Sequence, residues 1–334
     1  MKTFPRLGAA LFTAAALLFV TGEAAAQKTT LRIATLAPKN SAWGKLYSMW
    51  QRAIDQKTDG KLELQIYYNA VQGNEDSMVA KMKTGQLDGG LFTSIGLAGI
   101  NKDVLALGMP GVLDTWPLLD KARNALAGEL EQGFTNQGFT LMGWGDVGLV
   151  RQFSKGFAVR TPNDLKGKRP LVWRNEPMGP IIYSLIGGVV PTPLGVPEVL
   201  PALRAGTVNV ISAPALGAEQ LQWAPMLDHV SSQVTTCAIG GLVFRKGALD
   251  KLPADARDAL LDIQKRAAQS NTDRIRKMDA ASYERMAKKM NVVELSQADR
   301  NEWQKLLRRA VEQFKQSTFT RSLVEKVLKI SGKA

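Results

Sequence analysis

Apolar positions fall at two periods along this chain, and the order in which the periods alternate sets its architecture. Residues 30–36 place Leu31 and Ile33 at alternate positions of a strand, and a polar break leads to Ser41, a candidate helix N-cap. Trp43, Leu46, Tyr47, Trp50 and Ile54 then recur as one face of a helix, which Gly60 stops. Leu62, Leu64 and Ile66 alternate along a second strand at residues 62–68. Gly73, Asn74 and Glu75 open a second helix with Met78 and Met82 on its buried side, and Gly85 ends it before a third strand at residues 87–92. The same series returns as a strand at 169–173, a helix at 177–186 closed by Gly187 and Gly188, and a strand at 189–192. It ends with a helix faced by Val196, Val199, Leu200 and Leu203, then Gly206 and a strand at 208–212. The phrase running from Lys81 through Gly85 to Asp88 is matched by that from Ala202 through Gly206 to Asn209.

A chain that builds one piece twice has two similar lobes. Strands alternating with helices imply parallel sheets with right-handed crossovers, so loops at the strand C-terminal ends face a common cleft. Those loops are residues 37–41, 70–75 and 93–96 in the first lobe and 174–177, 193–196 and 213–216 in the second. Residues 139–144 and 149–153 read as extended segments between the lobes, and 234–245 as a strand returning to the first. Repeated crossings make a hinge. After Leu252 and Pro253 a polar and charged stretch runs to Met290 with few breaks, a helix long enough to brace both lobes. A short strand at 292–295, a cap formed by Ser296 with Asp299, and two basic helices finish the chain. The fold class expected is α/β, two-lobed, with a hinge, an interlobe cleft and a long C-terminal bracing helix. The first lobe is assigned residues 27–148 with 239–278, and the second 149–238 with 279–334 and its C-terminal helices.

Residues 1–26 read as a cleavable leader. Lys2 and Arg6 precede a small apolar run from Leu7 to Thr21, and Ala24, Ala25 and Ala26 supply the small residues a signal peptidase requires. Cleavage near Ala26 would export the protein, and nothing after Gln27 is long and apolar enough to span a bilayer. A single cysteine, Cys237, excludes an intramolecular disulfide framework. The net charge of +13 is spread over helix faces rather than gathered in an arm with interleaved aromatics, which argues against nucleic acid as a partner.

Enzyme motifs fail on context. Gly143, Gly145 and Gly148 fit G-x-G-x-x-G after a strand, yet residues 149–153 read extended instead of as the helix that would hold a pyrophosphate. His229 is the only histidine, no G-x-S-x-G elbow surrounds Ser94 or Ser212, and no cofactor or metal is expected. His229 is read as a surface or hinge residue. Of Trp43, Trp116, Trp144, Trp173 and Trp223, near loops and strand ends, two are expected to line the cleft, while Trp50 sits inside an apolar stripe as core. The leading function class is a monomeric binding protein that captures a small solute. The alternatives are a carrier of an amphipathic or lipid-like molecule and a secreted hydrolase.

From about Leu31 to Leu323 the chain resembles the extracytoplasmic solute receptors of tripartite ATP-independent periplasmic (TRAP) transporters, which include dicarboxylate and sialic acid receptors. The resemblance rests on the strand and loop from Leu31 to Trp43, on Gln72 to Glu75, and on Asp164-Leu165-Lys166-Gly167-Lys168. It continues through Gly195 to Gly206 with Glu198, and Val243 to Lys246 before Leu252-Pro253. It implies an organic acid as ligand and a TRAP-type integral membrane permease as partner. The family's carboxylate-holding arginine falls on Leu171, so the usual anchor is missing, and a second family arginine falls on Arg151. The asparagine after the third strand of the second lobe falls on Ala213 and its acidic neighbour on Ser212. Trp173 with Arg174 is similar to an aromatic-bearing branch of the family, and Arg174 is the candidate to replace the anchor. With Trp43, Glu75, Thr93, Ser94 and Trp144 from the first lobe, these make the expected ligand-binding set.

Overall fold

The repeated phrase is a helix end of the same construction in both copies. Gly85 and Gly206 take φ of +79° and +70°, a conformation open to glycine at no steric cost. Behind them the Gln86 N–H reaches the Lys81 carbonyl at 2.9 Å, and the Thr207 N–H reaches that of Ala202 at 3.0 Å, satisfying carbonyls the helix leaves unpaired. The computed structural model describes residues 28–333, and the leader assigned to residues 1–26 lies outside them.

The first series forms β1 (Thr29–Thr35), α1 (Ala42–Lys57), β2 (Leu62–Tyr67), α2 (Glu75–Lys83) and β3 (Gly89–Thr93), followed by α3 (Ser94–Ala98), α4 (Trp116–Asn136) and the long β4 (Phe139–Ser154). The second forms β5 (Leu171–Trp173), α5 (Met178–Ile186), β6 (Thr192–Leu194), α6 (Val196–Ala205), β7 (Val210–Pro214) and α7 (Ala215–Gln220). The chain continues as β8 (His229–Arg245), α8 (Lys246–Leu249), α9 (Ala254–Ala287), β9 (Asn291–Val293), α10 (Gln297–Ser317) and α11 (Arg321–Ser331). β1 pairs in parallel with β2 and β3, while β5 pairs in parallel with β6 and touches β7 through a parallel bridge from Pro170 to Val210. The first strand of each series is therefore central in both lobes.

β4 and β8 pair antiparallel from end to end and join the lobes. β3 adds to the Gly240–Phe244 end of β8, whereas β7 adds to the Val150–Ser154 end of β4 and β9 to the His229–Ser231 end of β8. The two extended segments expected at 139–144 and 149–153 are one strand. Its register slips between Asp146 and Gly148 and twice more around Arg151, and such bulges bend a strand without ending it. Gly148, at φ +146°, sits under Asp279 of α9, whose carboxylate accepts the Leu149 N–H at 2.8 Å and the Leu216 N–H at 2.9 Å. The brace thus grips the crossing strand and the start of α7 through one buried side chain. β6 lies later than expected because pairing with Leu171–Trp173 selects residues 192–194.

The first-lobe core gathers Met78, Met82, Phe92, Leu126, Phe134 and Phe139, and the second gathers Phe153, Val199, Leu203, Ile211 and Trp223. The last helix packs beside α4. Leu323, Val324, Val327 and Leu328 of α11 are buried in the first-lobe core, and Lys326 reaches Glu129 of α4 at 2.6 Å. An amphipathic helix does not carry in its pattern which of two apolar surfaces it covers.

Candidate ligand-binding cleft

All six loops at strand C-terminal ends contribute to one cavity of about 1130 Å³ between the lobes: Pro38, Asn74 and Thr93 from the first, Arg174, Gly195 and Pro214 from the second. The lobes also touch. The Ala42 N–H donates to Gln220 Oε1 at 3.2 Å, and a Cβ on Gly195 would lie 2.5 Å from Asn74 Oδ1, so the second lobe approaches Asn74 as closely as glycine permits. Asn74 Oδ1 is buried without a hydrogen-bond partner among the described residues.

On the first-lobe side the chemistry is mostly committed. Glu75 is 5% exposed, and its carboxylate accepts the Thr93 N–H and hydroxyl, both at 2.6 Å, and the Gly96 N–H at 3.0 Å. Burial pushes the Glu75 carboxyl above the usual carboxylate range, opposed by these hydrogen bonds. The Thr93 hydroxyl also accepts the Ile95 N–H, so Glu75 and Thr93 together tie α2 to the turn into α3. Ser94 lines the cavity beside them, as does Trp43, whose indole N–H points to the Asp146 carbonyl at 3.4 Å. Trp144 lines it too, with the Arg123 guanidinium 5.7 Å from its ring centroid.

The second-lobe wall is more apolar. Leu171 and Trp173 both line the cavity, and Trp173 is backed by the buried Trp223 at 6.1 Å between ring centroids. Arg174 lines it as well, and its Nη2 donates to both Glu198 oxygens, at 2.9 and 2.8 Å. That pairing holds the Glu198 carboxyl below its ordinary range. Four of the five candidate tryptophans, Trp43, Trp144, Trp173 and Trp223, line the cavity; Trp116 instead stacks on Arg276 at 4.4 Å.

Two expected ligand contacts face elsewhere. Val150 and Gln152 line the cavity and Arg151 between them does not. Its guanidinium lies 3.8 Å from the Tyr283 ring centroid, and its Nη1 donates to the Ser232 carbonyl. Ser212 and Pro214 line the cavity, whereas Ala213, paired with Arg151 across the ladder, is buried in the second-lobe core. Alternation along a strand assigns each pair to opposite faces. Gln152 and Ser212, opposite one another, are the side chains these strands offer. Gln152 carries no motif of its own; its position next to Arg151 on the same strand is the signal that points to it.

Beneath the cleft lies a compact ion network. Asp146 of β4, with a fully buried side chain, accepts from Arg123 of α4 and from Arg276 Nε of α9 at 2.6 Å, while Arg276 also reaches both oxygens of Asp120 at 2.7 and 2.6 Å. Burial lowers the Arg276 pKa, but hydrogen bonds and charge pairing with Asp120 and Asp146 together outweigh it and raise it. No group of three or more His, Cys, Asp or Glu residues suited to a metal ion occurs among the described residues.

Two lobes joined by crossing strands, six loops converging on one cavity and a bracing helix describe a receptor that encloses a solute. The model of the family described as bacterial extracellular solute-binding protein, family 7, matches residues 33–317. The chain belongs to this family. A solute-binding protein of Verminephrobacter eiseniae is 27% identical over 277 residues, covering 81% of each chain. The sugar acid binding protein of Advenella mimigardefordensis, solved with galactonate, superposes with a TM-score of 0.85 at 15% identity over 92% of this chain and 99% of that one. A TRAP periplasmic solute-binding protein of Sulfurospirillum deleyianum, solved with succinate, gives 0.84 at 16% identity over 91% and 99%. At these identities the solved structures establish the two-lobed fold. No helix among the described residues is long and apolar enough to cross a membrane.

Proposed function

We propose that this protein is a periplasmic receptor, exported by the leader at residues 1–26 with cleavage near Ala26, that captures a small organic acid in the interlobe cleft. It then delivers the acid to a TRAP-type membrane permease and performs no chemistry of its own. The observation that carries the reading is the convergence of all six strand-end loops on one cavity bordered by Arg174 and aromatic side chains. The acids bound in two solved proteins that share the fold, succinate and galactonate, support the ligand class. The polar groups of the first-lobe wall that resemble catalytic acids are hydrogen-bonded in place: Glu75 and Thr93 serve the α2–α3 junction and Asp146 serves two arginines. Capture follows as a population shift, because a ligand touching both lobes favours the closed arrangement of β4 and β8.

Proteoliposomes carrying the TRAP-type permease from the same genome test delivery. Uptake of a labelled acid bound by the receptor is expected only when the receptor is added on the outside. Uptake at the same rate without it, or none with it, would contradict the proposal.

A further inference from the structure

The arginines closest to the crossing strands are held by other groups. Arg123 and Arg276 serve Asp146 and Asp120, and Arg151 turns toward Tyr283 and Ser232. Apart from Arg174, the cationic side chains bordering the cavity are Arg300, Arg308, Arg309, Lys315 and Lys333. These belong to α10 and the C-terminal end, which pack on α5 and on the first-lobe core instead of lying at the strand ends. Of the cations bordering the cavity Arg174 is the one at a strand end, and only its Nη2 is used by Glu198, leaving Nε and Nη1 without a hydrogen-bond partner among the described residues. The backbone presents it there: the Arg174 N–H is held by the Leu194 carbonyl at 3.0 Å, and Asn175 turns the chain at φ +66°. The Arg174–Glu198 pair is about two-fifths exposed on both sides, and such pairs contribute little, so exchanging Glu198 for a ligand carboxylate costs little.

Next to this single anchor the surface is apolar and aromatic. Leu171 and Trp173 of β5 and Met178 of α5 face the cavity from the second lobe, and Trp43 and Tyr47 of α1 from the first. A planar ring or branched chain gains dispersion and apolar burial against such walls. A second carboxylate would find no second guanidinium at the strand ends and would have to shed its water unpaired.

We propose that the cleft selects a monocarboxylate with an aromatic or branched apolar body, its carboxylate taken by Arg174 from Glu198 and its body laid between Trp173 and Trp43. This assignment of Arg174 and the tryptophan walls rests on the receptor reading above and names its ligand class.

Calorimetry on the full mature chain with phenylacetate, 4-methyl-2-oxopentanoate, succinate and galactonate tests it. At least one of the first two is expected to bind about tenfold or more tightly than either of the last two. Arg174→Met should abolish that binding, and Trp173→Ala should weaken it about tenfold or more, as expected for loss of a buried aromatic contact. Glu198→Gln should tighten it, since the anchor is released; improved binding cannot come from misfolding. Tighter binding of succinate or galactonate, or unchanged affinity in Arg174→Met, would overturn the inference and leave the receptor reading standing. Binding of none of the four acids, together with a lipid recovered from the cleft, would overturn both.

Discussion

Replacing Asp146 by asparagine isolates the ion network that joins α4, β4 and α9. The amide keeps the volume but removes the charge and turns an NH2 donor toward one of two guanidinium groups that have only donors to offer. Arg276 loses one of its three carboxylate contacts yet keeps both bonds to Asp120. Arg123 fares worse. Its side chain is 8% exposed, and among the described residues its Nε already lacks a partner and it retains only the Gly145 carbonyl at 3.3 Å and the Trp144 face. Leaving a buried charge without its partner costs about 3–5 kcal/mol, and the surviving Arg276–Asp120 pair places this substitution at the lower end, about 3 kcal/mol. Asp120, with 43% of its side chain exposed, sits on the outer side of the same arginine, so Asp120→Asn is expected to cost about 1 kcal/mol or less. Urea unfolding followed by circular dichroism should show the midpoint of Asp146→Asn well below wild type with the slope unchanged, and Asp120→Asn close to wild type. A loss under about 1 kcal/mol for Asp146→Asn, or equal losses for the two variants, would refute the claim that Asp146 is the centre of the network.

Arg151→Lys should leave ligand affinity unchanged while lowering stability by about 1–2 kcal/mol, because the planar contact with Tyr283 and the bond to Ser232 go; calorimetry showing a large affinity loss would return Arg151 to the cleft. Gly195→Ala places a methyl 2.5 Å from Asn74 Oδ1 and should hold the lobes apart, read as a larger radius of gyration by small-angle scattering and weaker ligand binding at little cost in stability. Asp88 accepts from Arg32 at 2.9 Å and from Arg245 at 3.1 Å; burial would raise its pKa, but these bonds outweigh it and hold it below the ordinary 3.8. With a depressed folded-state pKa, its stabilising contribution is full above that ordinary value and is lost as pH falls through the lowered one. The stability gap between wild type and Asp88→Asn should therefore shrink only below about pH 4, and a gap independent of pH would contradict the assignment.

The fold was legible where pattern and backbone agree. The helix-end phrase around Gly85 and Gly206 reports the same φ > 0 closure twice, and the repeat around it carries the order of the strands in both lobes. All six cleft loops followed from the rule for strand C-terminal ends. Residue facing on β4 was not legible, because three register slips between Asp146 and Phe153 each change which side chains share a face, and a linear sequence does not mark a bulge. That is why Arg151 reads as a ligand contact from its motif position and lies against Tyr283 in the fold. Ala213 follows from it, being its partner across the ladder. The tryptophans were underestimated for a simpler reason: loop position says that Trp43, Trp144, Trp173 and Trp223 are near strand ends, while only the approach of two lobes makes one wall of them. The placement of α11 on the first lobe depends on the same tertiary information.

Native mass spectrometry of the protein isolated from its own periplasm without refolding tests the central claim most directly. The account predicts a mass increment matching one small organic acid per chain, released on unfolding and diminished in Arg174→Met. A chain that carries a lipid or another large amphipathic molecule in its place, with no acid displacing it, would contradict the account.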